Sequence, residues 1–127
     1  MKFVIFHGSF GNPEGNWFLE LKDKLEAVGQ KVISPQFPVE NWEEITSKGL
    51  DITPRNQNLS SWMNVFEGVY KTFKKDDQLC FIGHSLGPLF ILHAVDKYNL
   101  PLDSAIFVSP FLNKLNKLWQ IDHVNNT

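Results

Sequence analysis

Apolar positions along the chain follow two rhythms. Phe3-Val4-Ile5-Phe6 is a short, unbroken, β-rich apolar run that stops at His7-Gly8, the pattern of a strand buried on both faces. A turn-rich loop follows from Gly8 to Gly15. Trp17, Leu21 and Leu25 then recur one turn apart with Phe18 and Val28 beside them, while Glu20, Lys22, Asp23, Lys24 and Glu26 take the other face. That spacing predicts a helix, with Gly29 as its stop. Lys31-Val32-Ile33-Ser34 reads as a second strand, closed by Pro35 and Pro38. Residues 35–57 are less regular. There Asn41 can cap a brief helix through Trp42 and Ile45, with Glu44 at the reciprocal capping position.

The helical rhythm returns at Leu59, Trp62, Met63, Phe66, Val69, Tyr70 and Phe73, and a polar turn spans Lys74 to Asp77. Leu79 to Ile82 is a third strand, Leu86 to Tyr98 a third full helix and Ala105 to Val108 a fourth strand. Phe111, Leu112, Leu115, Leu118 and Trp119 suggest a last short amphipathic helix. Strands alternating with helices predict an α/β fold of one domain over residues 1–127, a three-layer sandwich with a parallel sheet covered on both faces. In such sheets the working site lies at the carboxyl ends of the strands, here after His7, Ile33, Ile82 and Val108.

One motif in that position carries chemistry. Gly83-His84-Ser85-Leu86-Gly87 matches G-x-S-x-G and lies between a predicted strand and a predicted helix, the context of a nucleophile elbow. The chain must reverse sharply there, with Ser85 held at the tip and Gly83 and Gly87 avoiding collisions across the turn. Ser85 then stands at a helix N-terminus, where free N–H groups favour negative charge. The Leu86 N–H can donate to an oxyanion, and Pro88 fits a first helical turn. A second donor is expected from the loop after the first strand, at the N–H of Ser9 or Phe10. His7, Gly8 and His84 are the candidate substrate-binding residues. Gly8, Gly11 and Gly15 do not have dinucleotide-motif spacing, and Ser34-Pro35 stands where a ribose would need an acidic residue.

Composition narrows the classes. The 127 residues are 43% hydrophobic and 20% charged, enough for a packed core. A formal net charge of -2 and a single arginine, Arg55, leave no basic patch, so neither nucleic acid nor an anionic membrane is an expected partner. Cys80 is the only cysteine, which excludes an internal disulfide and a cysteine metal cluster; its apolar setting predicts a buried thiol. The N-terminal apolar run is too short for a signal peptide core or a membrane span, so a cytoplasmic location is the default.

His7 through Phe18, Leu21 and Leu25, Pro35-Gln36-Phe37-Pro38, Gly83 through Gly87, and Val108-Ser109-Pro110-Phe111 resemble the small serine hydrolases of the YdeN and retinoblastoma-binding-protein-nine type. The resemblance runs over nearly the whole chain. It implies a compact, Rossmann-like α/β-hydrolase fold, a Ser-Asp-His triad, and no metal or organic cofactor. Ser85 matches the family's nucleophile, and the loop from Gly8 its oxyanion side.

The family's aspartate and histidine come later in the chain, after two further strands. Asp96 and His93 lie within the helix after the elbow, Asp103 precedes the fourth strand, and Asp122 and His123 are adjacent and diverge. His7 is at the correct edge and could contact substrate or act as a stray base. The expectation is a truncated serine hydrolase, inactive or weakly active in this form. In the complete protein it would cleave a small-molecule ester or amide through an acyl-Ser85 intermediate. Phe10, Trp17, Trp42 and Trp62 suggest a small, uncharged or weakly polar substrate. The alternatives are a non-catalytic protein-binding module and a flavodoxin-like domain whose Ser9-Phe10-Gly11 loop binds phosphate. An unpaired edge at Ala105–Val108 predicts a homo-oligomer.

Overall fold

The computed structural model describes residues 1–40 and 56–110. The brief helix expected at Trp42–Ile45, the last amphipathic segment from Phe111, and Asp122 and His123 lie outside the described residues. Seven elements follow in order: β1 (Lys2–Phe6), α1 (Phe18–Ala27), β2 (Lys31–Ile33), α2 (Leu59–Tyr70), β3 (Leu79–His84), α3 (Gly87–Tyr98) and β4 (Ser104–Val108). The strands form one parallel sheet in the order β2-β1-β3-β4.

Strand alternation sorts the core into two halves. Val4, Phe6 and Phe81 face α2 and α3, where they pack with Phe37, Trp62, Phe66 and Phe90. Ile5, Cys80 and Ile82 face α1 and meet Phe18. Phe37 stacks on Trp62 with centroids 4.7 Å apart, and Phe6 lies 5.0 Å from Phe81. Each such ring contributes about 1.5–3 kcal/mol when fully buried. Helices on both faces of a parallel sheet make three layers. The fold is that of an α/β hydrolase, as expected.

Local chemistry sets the element ends. Asn58 caps α2, its Oδ1 accepting from the Ser61 N–H at 2.9 Å. α2 ends at Tyr70 rather than carrying the apolar stripe to Phe73. A turn still returns Phe73 to within 6.1 Å of Phe81. β3 runs two residues beyond its apolar stretch, because Gly83 pairs with Phe6 and Phe107, and His84 with Val108. Val28, expected on the apolar face of α1, lies past its end and is 71% exposed.

The winding explains where a site can form. From β1 the chain steps outward to β2, then returns across β1 to β3 and proceeds outward to β4. The neighbours β1 and β3 are therefore where the order reverses, and the loops leaving their carboxyl ends diverge to opposite faces. The crevice between them holds the Gly8–Gly11 loop and the G-x-S-x-G turn.

Candidate active site

Ser85 sits between β3 and α3 with φ 58, a left-handed conformation rare for a residue with a side chain. Its N–H donates to the Val108 carbonyl at 3.0 Å, tying the turn to the end of β4. The turn is tight on both flanks. A Cβ at Gly83 would meet the Pro88 nitrogen at 2.8 Å, and one at Gly87 would meet the Phe6 carbonyl oxygen at 2.7 Å. Side chains at either place would push α3 off the sheet. The geometry is the strand–turn–helix corner expected from the sequence.

The β1 loop lies directly against this corner. A Cβ at Gly8 would be 2.6 Å from Ser85 Cβ and 3.1 Å from its Oγ. Gly8 thus lets the backbone approach the hydroxyl, and a substrate-facing surface at Gly8 is backbone alone. Leu86 is fully buried and precedes the first residue of α3, so its N–H stands ahead of the helical ladder beside Ser85. Phe10 also has a positive φ, 55. Its N–H, one of two expected oxyanion donors, is already given to Gln57 Oε1 at 3.0 Å. The Ser9 N–H enters no backbone hydrogen bond among the described residues. Of the expected donors, Ser9 and Leu86 are the two whose N–H groups enter no backbone hydrogen bond among the described residues.

His7 differs from its expected place at the substrate. It is 1% exposed, and both ring nitrogens are engaged. The Phe37 N–H donates to Nε2 at 2.9 Å, which leaves the proton on Nδ1, and Nδ1–H donates to the Gly8 carbonyl at 2.8 Å. Burial lowers its pKa and keeps the ring neutral. His7 fastens the loop instead of reaching into the crevice. The His84 ring turns toward α1, edge-on to Trp17 and Phe18 with centroids 5.9 and 5.8 Å away. Its Nδ1 is buried with no hydrogen-bond partner, and burial lowers its pKa. Trp62, on the core-facing stripe of α2, is wholly buried and donates its indole N–H to the Pro38 carbonyl at 2.6 Å. It belongs to the core.

Among the described residues, Asp103, His93 and Asp96 sit as the sequence suggests. Asp103 accepts from the Leu79 N–H at the amino end of the sheet, remote from Ser85. His93 and Asp96 lie within α3. Cys80 is buried. Among the described residues, no group of three or more His, Cys, Asp or Glu could hold a metal ion, and no helix is long and apolar enough to cross a membrane.

Sequence reasoning missed Gln57 and Glu40. Gln57 is fully buried, and Glu40 is 7% exposed with its carboxylate accepting from the N–H groups of Asn56 and Gln57. A Gln and a Glu in an irregular, polar stretch carry no periodic signal.

Comparison with known proteins agrees with this fold. No protein-family model matches the sequence. The chain is 26% identical over 114 residues to methylesterase 1 of Arabidopsis thaliana, covering 87% of this chain and 39% of that protein. It is 26% identical over 113 residues to salicylic acid-binding protein 2 of Nicotiana tabacum, with the same coverages. The chain thus spans about 39% of the length of these curated relatives. The ydeN gene product of B. subtilis superposes with a TM-score of 0.67 at 24% identity, over 92% of this chain and 55% of that one. Polyneuridine aldehyde esterase superposes with a TM-score of 0.65 at 21% identity, over 91% and 42% of the respective chains. The fold is shared with enzymes named as esterases.

Proposed function

We propose that this chain carries the nucleophile side of a serine hydrolase site that cleaves small-molecule esters. The observation that carries the reading is Ser85 in a left-handed turn with Gly8 packed against its hydroxyl. In the proposed reaction Ser85 Oγ attacks the ester carbonyl carbon and its proton passes to a base. The carbonyl oxygen becomes an oxyanion facing the Ser9 and Leu86 amides. Collapse expels the alcohol, which takes up that proton, and leaves acyl-Ser85. Water then attacks the acyl carbon and releases the acid. The methylesterase relatives favour esters over amides as the substrate class.

The described residues supply no free imidazole to the hydroxyl, since His7 is committed to backbone and His84 is turned toward α1. A serine whose base is lacking reacts slowly. A second reading keeps the hydrolase fold for protein contact without catalysis. A fluorophosphonate probe separates the two. Slow labelling of the chain, abolished in Ser85→Ala, is expected for the hydrolase. No labelling after prolonged incubation supports the contact module, and equal labelling of Ser85→Ala sinks the assignment of Ser85.

A further inference from the structure

We propose that Gln57 is a positioning residue for acyl transfer at Ser85: its side-chain carbonyl holds the Phe10 amide and so aims the neighbouring Ser9 amide at the oxyanion. This rests on the Ser85 reading above. Phe10 is a bulky residue in the left-handed region, which costs energy unless surrounding groups enforce it. One enforcing group is Gln57, fully buried and 47 residues distant, whose Oε1 accepts the Phe10 N–H at 3.0 Å.

Peptide planarity sets the Ser9 N–H opposite the Gly8 carbonyl, so Gln57 acts on it through the turn that holds that carbonyl. The Gly8–Ser9 peptide is fixed through its carbonyl, which accepts from His7 Nδ1–H at 2.8 Å and from the Gly11 N–H at 3.2 Å. The Ser9–Phe10 peptide is fixed through its amide by Gln57. Holding Phe10 left-handed keeps the Gly11 N–H on the Gly8 carbonyl, and that carbonyl orients the Ser9 N–H of the same peptide. Gln57 is itself anchored. Glu40 Oε2 accepts its backbone N–H at 3.0 Å, and Asn58 beside it begins the capped helix α2. A donor preorganised in this way needs no reorientation when charge develops on the carbonyl.

Two substitutions test the relay in the whole chain. Gln57→Met keeps length and bulk but removes the acceptor. Gln57→Glu, protonated in so buried a place, keeps the carbonyl. Amide hydrogen exchange at Phe10 and the fluorophosphonate reaction are then followed, the latter as Ser85 Oγ displaces fluoride from phosphorus. In Gln57→Met, Phe10 should lose protection and the maximal labelling rate should fall about 10-fold or more. The probe concentration for half-maximal rate should stay unchanged, and Gln57→Glu should restore both readouts. Unchanged Phe10 exchange in Gln57→Met overturns the relay, as does an equal loss of rate in both variants. If the parent chain takes no label, the Ser85 reading fails, while the exchange comparison still decides whether Gln57 holds the loop.

Discussion

At the scale of single residues, the site is a matter of one missing side chain and one unusual backbone angle. Gly8 lets β1's loop touch the Ser85 side chain, and Ser85 turns left-handed to face it. Gly8→Ala would force a methyl group to within 2.6 Å of Ser85 Cβ. The loop or the elbow must then move. The expected outcome is a labelling rate lowered at least about 10-fold, because misplacement of a reacting group by an ångström is costly. Stability should fall by about 1–3 kcal/mol, as for other overpacked sites. Probe kinetics and thermal melting check both, and wild-type labelling by Gly8→Ala would show that the loop does not crowd the hydroxyl. The elbow was legible in the sequence since its geometry is local, five consecutive residues between a strand and a helix. Gln57 was not, because its bond to Phe10 joins segments 47 positions apart.

At the scale of elements, β1 and the segment following β2 are riveted by His7. The ring joins the Gly8 carbonyl to the Phe37 amide and lies 5.5 Å from Trp62. This linkage makes the fold sensitive to acid. Burial lowers the folded-state pKa of His7 below its ordinary 6.5, so the unfolded chain binds its proton first as pH falls. The neutral form's contribution is complete above that ordinary value and is lost progressively below it. His84 and His93 are also lowered by burial and act in the same direction. The urea midpoint should therefore fall on going from about pH 7.5 to about pH 5. His7→Gln should be less stable at neutral pH and show a shallower acid decline. An identical slope in that variant would mean other groups carry the effect.

At the scale of the whole molecule, the two edges of the sheet differ. β2 is a three-residue strand, whereas β4 is a five-residue apolar strand with Ser104 through Phe107 exposed, Ile106 at 50% and Phe107 at 36%. Among the described residues β4 has no outer neighbour, and an edge of this kind offers backbone donors and acceptors along with apolar side chains. The expected outcome is concentration-dependent self-association, weakened in Ile106→Lys. Light scattering across a concentration series measures it. A strictly monomeric chain at high concentration, or association indifferent to Ile106→Lys, would remove β4 as the contact.

Hydrophobic rhythm decided the α/β class and the alternation of elements, and with the G-x-S-x-G pentad the corner that bears Ser85. Those features depend on spacing within a few residues, and burial selects the spacing directly. Only tertiary structure decided that His7 turns inward and that Glu40 and Gln57 brace the Gly8–Gly11 loop. Hydrogen bonds between distant segments depend on how layers dock, and periodicity records which face is buried without naming what it meets.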